Sequence, residues 1–143
     1  EWPETSYEVG LEKIREYANA VGAENPVHRD REAAKAAGFR DVVAPPMFCV
    51  VYSAPAMGPA ILDPEVGINL ATMLHGGQEF VWGEPVCVGD AIATKPTCRE
   101  IYEKDGKRGG TMTFVVSVQE FRDESGTLVA EARAILSALE EVA

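Results

Sequence analysis

From Met47 to Ala54 the chain reads Met, Phe, Cys, Val, Val, Tyr, Ser, Ala, apolar nearly all round. A helix without a polar face has to be buried on every side, so the rest of the chain must supply a surface that wraps it. Pro45 and Pro46 set up the start of this helix, because proline has φ already fixed and lacks a donor that a first turn leaves unpaired anyway. Pro55, Pro59 and Pro64 then keep it short or kink it. The run from Ala44 to Leu62 is the longest mostly apolar stretch, and these prolines make it a poor membrane span.

The wrapping surface reads as strands. From Met73 onward turn signals set the spacing. Gln78 to Trp82 predicts a short strand, Val88-Gly89-Asp90 a turn, and Ala91 to Glu103 a weakly alternating strand. Lys104-Asp105-Gly106-Lys107 carries an Asp-Gly hairpin signal. In Thr111 to Phe121, Met112, Phe114, Val116 and Val118 share one face, with Thr113, Ser117 and Gln119 on the other. After a turn at Asp123 to Gly126, Leu128, Ala130, Ala132, Ala134, Leu136 and Ala138 occupy one face of a long last strand. Small alanines there allow close approach of something bulky, and the buried helix fits that need.

The first fifty residues read as helical. Leu11, Ile14, Tyr17, Ala18 and Val21 recur at helical spacing, and Gly22 stops that helix. Asp30 caps a second helix over Arg31 to Ala37, with Gly38 just past its end. Helices followed by strands predict an α+β domain with helix packed on an antiparallel sheet. The 143 residues, 1-143, are read as a single domain. A formal net charge of −10 works against a phosphate backbone, so nucleic acid is not the expected partner. Cys49, Cys87 and Cys98 form neither a CxxC pair nor a His-linked spacing, so no metal site is expected. No basic, signal-like start precedes an apolar stretch. The expectation is a cytoplasmic protein with free thiols.

Gly22-Ala23-Glu24-Asn25-Pro26-Val27-His28, then Ala33 to Phe39 and Ala44-Pro45-Pro46-Met47-Phe48, resembles the (R)-specific enoyl-CoA hydratase signature of the MaoC-like hot-dog family. That signature reads Gly-Asp-x-Asn-Pro-(Leu/Ile/Val)-His, and this chain departs from it only at Ala23. Leu74 to Phe80, Pro85-Val86 and Gly89-Asp90 look like the family's second recurrent block. Tyr7, Val9 and Lys13 to Ala18 resemble the opening of its fatty-acid-synthase-type N-terminal dehydratase domains, including small subunits of actinobacterial (3R)-hydroxyacyl-ACP dehydratase heterodimers. The resemblance implies a hot-dog fold, a curved antiparallel sheet wrapped around a central buried helix. It implies lyase chemistry on an acyl group carried by coenzyme A or acyl carrier protein, with no other cofactor.

Adding water across a 2-enoyl thioester needs a base, an acid and donors for the enolate-like oxygen. In the family an Asp and a His five residues later hold the water, and backbone N–H groups at the head of the central helix meet the carbonyl. His28 takes the His position; Glu24 is the nearest carboxylate to the missing Asp. The catalytic members' His-Gly is Pro45-Pro46 here, so one donor is lost while Met47 and Phe48 offer theirs. Losing such a donor elsewhere costs about a hundredfold to a thousandfold in rate. Asn25, Ala44, Met47, Phe48, His75 and Gly76 are the candidate substrate-binding residues.

These departures favour a substrate-binding, weakly active or inactive subunit that works with a second hot-dog subunit. The alternatives are an autonomous homodimeric hydratase using His28 with Glu24, and a non-catalytic acyl-thioester binder. A thioesterase needs a carboxylate on the central helix, and Met47 to Leu62 supplies only Asp-free, Glu-free sequence. Plainer readings stand beside several candidates: Asn25 as a turn former, His75 bonded to a backbone carbonyl, Trp82 as packing, Cys49 as core. Lys104, Lys107 and Arg108 at a hairpin tip read as a solvated turn or as a contact for a carrier's phosphates.

Overall fold

The computed structural model describes residues 1–107 and 109–139, with the side chain of Leu139 excluded; Arg108 lies outside them. Five strands, β1 (Thr5–Glu8), β2 (Met73–Trp82), β3 (Ala91–Asp105), β4 (Thr111–Arg122) and β5 (Leu128–Leu139), pair antiparallel in the order β1-β3-β4-β5-β2. Register shifts at His75/Gly77, Cys98/Glu100 and Phe121/Arg122 mark bulges, which bend a sheet and increase its twist. Helices α1 (Leu11–Ala20) and α2 (Arg31–Ala36) precede α3 (Cys49–Ile61), which packs on the inner face of the sheet. This is the α+β hot-dog arrangement.

The local signals explain the helices. Ile14 and Ala18, four residues apart, are fully buried on α1. Gly22 takes φ +67° just past it, and the Ala23 amide returns to the Ala18 carbonyl at 2.8 Å. The Asp30 carboxylate accepts from the Ala33 amide at 2.8 Å, capping α2.

The core forms where α3 meets the sheet. Phe48, Cys49 and Tyr52 pack with Phe121, Ala130 and Ala132, and the Tyr52 and Phe121 rings meet edge to face at 5.0 Å. Ala130 to Ala138 on alternate positions of β5 are all buried, as their spacing predicts. On β4 the alternation holds, but the face turned to the helix is that of Val115, Ser117, Gln119 and Phe121, opposite Leu136, Ala134, Ala132 and Ala130. Val116 and Val118 are also buried, so β4 is covered on both sides.

Four expectations need correction. The apolar helix is buried along one stripe only, Cys49, Tyr52, Ala56 and Ala60; Val50 is 40% exposed. One chain supplies one sheet face, which covers one side of a cylinder. Strand β1 was not legible within the helical first fifty residues, because four residues are held only by pairing with Ala91–Thr94. Strand β2 starts at Met73 rather than Gln78, with the bulge falling among the glycines that weaken its pattern. The β3–β4 hairpin exists, but its positive φ values fall at Gly109 and Gly110 rather than at Gly106.

Phe121→Ala would open a cavity under Tyr52. The expected cost is about 3–5 kcal/mol, read as a lowered midpoint in urea unfolding with an unchanged slope.

Candidate active site

A cleft of about 410 Å³ opens between the 25–28 loop, the head of α3 and the end of β2. Phe48, Tyr52, Trp82 and Ala130 form its apolar wall, with His28 and Asn25 at its polar side. Glu84 is the one carboxylate among the described lining residues, and it is exposed.

The loop that carries His28 is fixed from several directions. The Asn25 side chain accepts from the Val27 amide at 3.2 Å, and Pro26 opens the 3₁₀ turn Pro26–His28. Arg29 donates from Nε and Nη2 to the Ala23 carbonyl at 3.1 and 2.9 Å, and from Nη1 to Asn19. The loop is thereby tied to the end of α1. His28 Nδ1 lies 2.7 Å from the Val43 carbonyl oxygen. A carbonyl only accepts, so Nδ1 carries the proton, and in the neutral ring Nε2 keeps its lone pair. His28 is therefore set up as an acceptor or base through Nε2.

The head of α3 is built as its prolines require. The 3₁₀ turn Pro46–Phe48 leads into the helix, and the Phe48 amide is bonded to the Pro45 carbonyl at 2.8 Å. Of the two amides expected to meet a substrate carbonyl, that of Phe48 is thus already committed.

Asn25, His28, Ala44 and Phe48 come together around the cleft. Glu24, Met47, His75 and Gly76 do not line it. Glu24 is exposed on the loop, while the neighbouring Ala23 carbonyl is occupied by Arg29. Met47 is 43% exposed beyond the helix head. His75 is exposed on β2 and pairs with the Gln78 side chain at 3.0 Å rather than with a backbone carbonyl. Gly76 sits where an added Cβ would come within 3.3 Å of the Ile135 carbonyl oxygen, so its absence of a side chain serves strand pairing.

Sequence reasoning missed Tyr52 as a site residue, although it lies one helical turn beyond Phe48 on the same face. Burial raises its phenol well above the ordinary range, so it remains a neutral O–H. Trp82 is more than packing: it stacks on Phe80 at 5.0 Å and lines the cleft. Lys104 lies over the Tyr102 and Phe114 rings at 5.1 and 5.7 Å, which gives the hairpin cation a local partner. Among the described residues no metal-holding cluster occurs, and no helix is long and apolar enough to cross a membrane.

The hot-dog sheet thus carries an apolar cleft with one oriented imidazole at its rim. The chain belongs to the FAS1-like dehydratase domain region family, whose model matches residues 1–132. It is 42% identical to a UPF0336 protein of Streptomyces avermitilis over 131 residues, 91% of this chain and 83% of that one. A UPF0336 protein of Streptomyces coelicolor is 44% identical over 104 residues, 73% of this chain and 69% of that one. Among solved structures, a chain of the C-terminally truncated HadBC (3R-hydroxyacyl-ACP dehydratase) complex from Mycobacterium tuberculosis superposes with a TM-score of 0.80. The two are 28% identical, over 94% of this chain and 90% of that one. R-hydratase PhaJ1 from Pseudomonas aeruginosa shares the fold, with a TM-score of 0.72 and 21% identity over 99% of this chain and 81% of that one.

Cys49 is 1% exposed, and burial pushes its thiol up to about 11. The thiolate is the reactive form, so native protein at pH 8 should label first at the partly exposed Cys98, with Cys49 reacting only after denaturation. Mass mapping of iodoacetamide adducts checks this.

Proposed function

We propose that this chain holds the acyl group of a 2-enoyl or 3-hydroxyacyl thioester as the substrate-binding, weakly active or inactive subunit of an (R)-specific hydratase or dehydratase. The observation that carries the reading is His28 standing at an apolar cleft whose one described lining carboxylate is the exposed Glu84, with Ala23 at the position of the family's Asp. A hydrocarbon chain requires a dry, apolar recess, and Phe48, Tyr52, Trp82 and Ala130 supply one. A lone imidazole with a committed Phe48 amide lacks the acid–base pair and part of the oxyanion cradle that hydration requires. The carrier is coenzyme A or acyl carrier protein, and the chemistry calls for no other cofactor.

The missing groups would come from a second hot-dog subunit. Strand β2 is an edge, paired only with β5, and it exposes Leu74, Val81 and Trp82. Unpaired edges are a liability that pairing with another sheet removes, and the exposed Met47 before α3 and Val50 on it lend an apolar surface to such a contact. The similar HadBC structure is itself a complex of two subunits. A homodimer is the other arrangement this edge supports.

The purified chain alone should hydrate crotonyl-CoA, followed by loss of the conjugated thioester absorbance, at no more than about a hundredth of the rate of a complete site. Full-rate hydration that disappears in both Glu24→Ala and His28→Ala would instead establish an autonomous enzyme. Ala23→Asp combined with Pro46→Gly restores the absent carboxylate and amide, and should raise turnover at least tenfold. Ala130→Leu fills the cleft; it should abolish the change in Trp82 fluorescence on adding long-chain acyl-CoA while the protein still melts cooperatively.

A further inference from the structure

The ring of His28 is oriented by the carbonyl of Val43, and Val43 belongs to a small ladder set apart from the main sheet. Residues 42–44 run antiparallel to 86–88: the Val88 amide donates to Val42 at 3.0 Å, the Ala44 amide donates to Val86 at 2.8 Å, and Val43 bridges Cys87. Val43 itself turns its polar groups the other way. Its amide donates to the Val27 carbonyl at 3.1 Å, and its own carbonyl accepts from His28 Nδ1 at 2.7 Å. The middle residue of the ladder thus fixes both the backbone and the ring of the His28 loop.

Two strands of three residues are marginal by themselves. Arg40 and Asp90 stand where the same register would place the next pair but one, two residues before Val42 and two after Val88. Both terminal nitrogens of Arg40 bond the two oxygens of the Asp90 carboxylate. Asp90 is buried, and its Oδ2 also accepts from the Cys87 amide at 2.9 Å, directly opposite Val43. The Asp90 backbone closes the 87–90 turn through its amide to Cys87 at 3.2 Å and accepts from Val9 at 2.8 Å, so the clamp is anchored in the core. A bidentate guanidinium–carboxylate pair fixes geometry as well as charge.

We propose that Arg40 and Asp90 are positioning residues for His28: through Cys87 and Val43 they hold the imidazole as its Nδ1–H tautomer with Nε2 bare. Nδ1 loses its only described acceptor if the Val43 carbonyl shifts, and the ring then takes the other tautomer, with Nε2 protonated and no longer basic. The pair exerts this control without touching a substrate. Its consequence for turnover rests on the function proposed above; its consequence for the ring does not.

Long-range proton–nitrogen correlation spectra of the ring nitrogens, recorded above the imidazole titration, test this directly. In the wild type His28 should read as Nδ1–H. In Asp90→Asn and Arg40→Met the ratio of Nδ1–H to Nε2–H should fall about fivefold, the effect of one weakened hydrogen bond, and Arg40→Lys should return part of it. His75, exposed on β2 and paired with Gln78 rather than with any group of the clamp, is the internal reference and should not change. Arg40 has a side chain 59% exposed, so Arg40→Met removes no core packing, and its cost is confined to leaving the buried Asp90 carboxylate without a cation, which Arg40→Lys relieves. An unchanged His28 tautomer in a folded Arg40→Met variant, whatever its melting temperature, overturns the proposal. A tautomer shift in a chain that neither binds nor turns over acyl thioester, alone or with a second hot-dog subunit, upholds the positioning role and refutes the proposed function instead.

Discussion

The contact between α3 and the alanine-rich inner face of the sheet governs the rest of the molecule. Phe48, Cys49 and Tyr52 reach Phe121, Ala130 and Ala132 because alanine side chains let the helix lie close to the strands. The same smallness leaves the cleft: where β5 offers Ala130 in place of a larger residue, the space beside Phe48 and Tyr52 is open. Core and cleft are therefore one packing decision. Enlarging residues at that face to tighten the fold would close the site.

The polar side of the site is held directly by backbone groups and neighbouring side-chain amides. His28 is held by a carbonyl, Asn25 by an amide, and Arg29 spans from one carbonyl to the side chain of Asn19. A cleft built this way stays apolar where a hydrocarbon chain would lie, and keeps a single oriented base at its rim. The cost is chemical incompleteness. Ala23 offers no carboxylate to the loop, and the Phe48 amide is turned back to Pro45. In the single chain the outer edge of β2 and one side of α3 are left open.

Much of the fold was legible because its signals are local. The Asp30 cap, the Gly22 stop and the alternating alanines of β5 follow from periodicity and capping, and they hold in the structure; the apolar helix exists too, but it runs on through Pro55 and Pro59 and is buried along one stripe only. The failures share a cause. Strand β1 exists only because Ala91–Thr94 pairs with it, and the start of β2 only because β5 carries the pairing across a bulge. Which face of β4 turns inward depended on the position of the helix, so Ser117 and Gln119 lie beneath it while their neighbours Val116 and Val118 pack on the other side.

For the site, the sequence by itself determined the residue types: a histidine two residues after Asn-Pro, an alanine where the signature it resembles has an aspartate, and prolines where that resemblance implies an amide donor. These are chemical absences and presences that no folding can change. Only the tertiary structure decided which of them meet. It brought His28, Asn25, Ala44 and Phe48 to one cleft and left Glu24, Met47, His75 and Gly76 outside its lining. It also added Tyr52 and Trp82, and joined Arg40 to Asp90 across fifty residues. The reason is physical. Side-chain chemistry is fixed residue by residue, whereas the direction of a ring and the wall of a cavity are set by hydrogen bonds and packing between segments far apart in the chain.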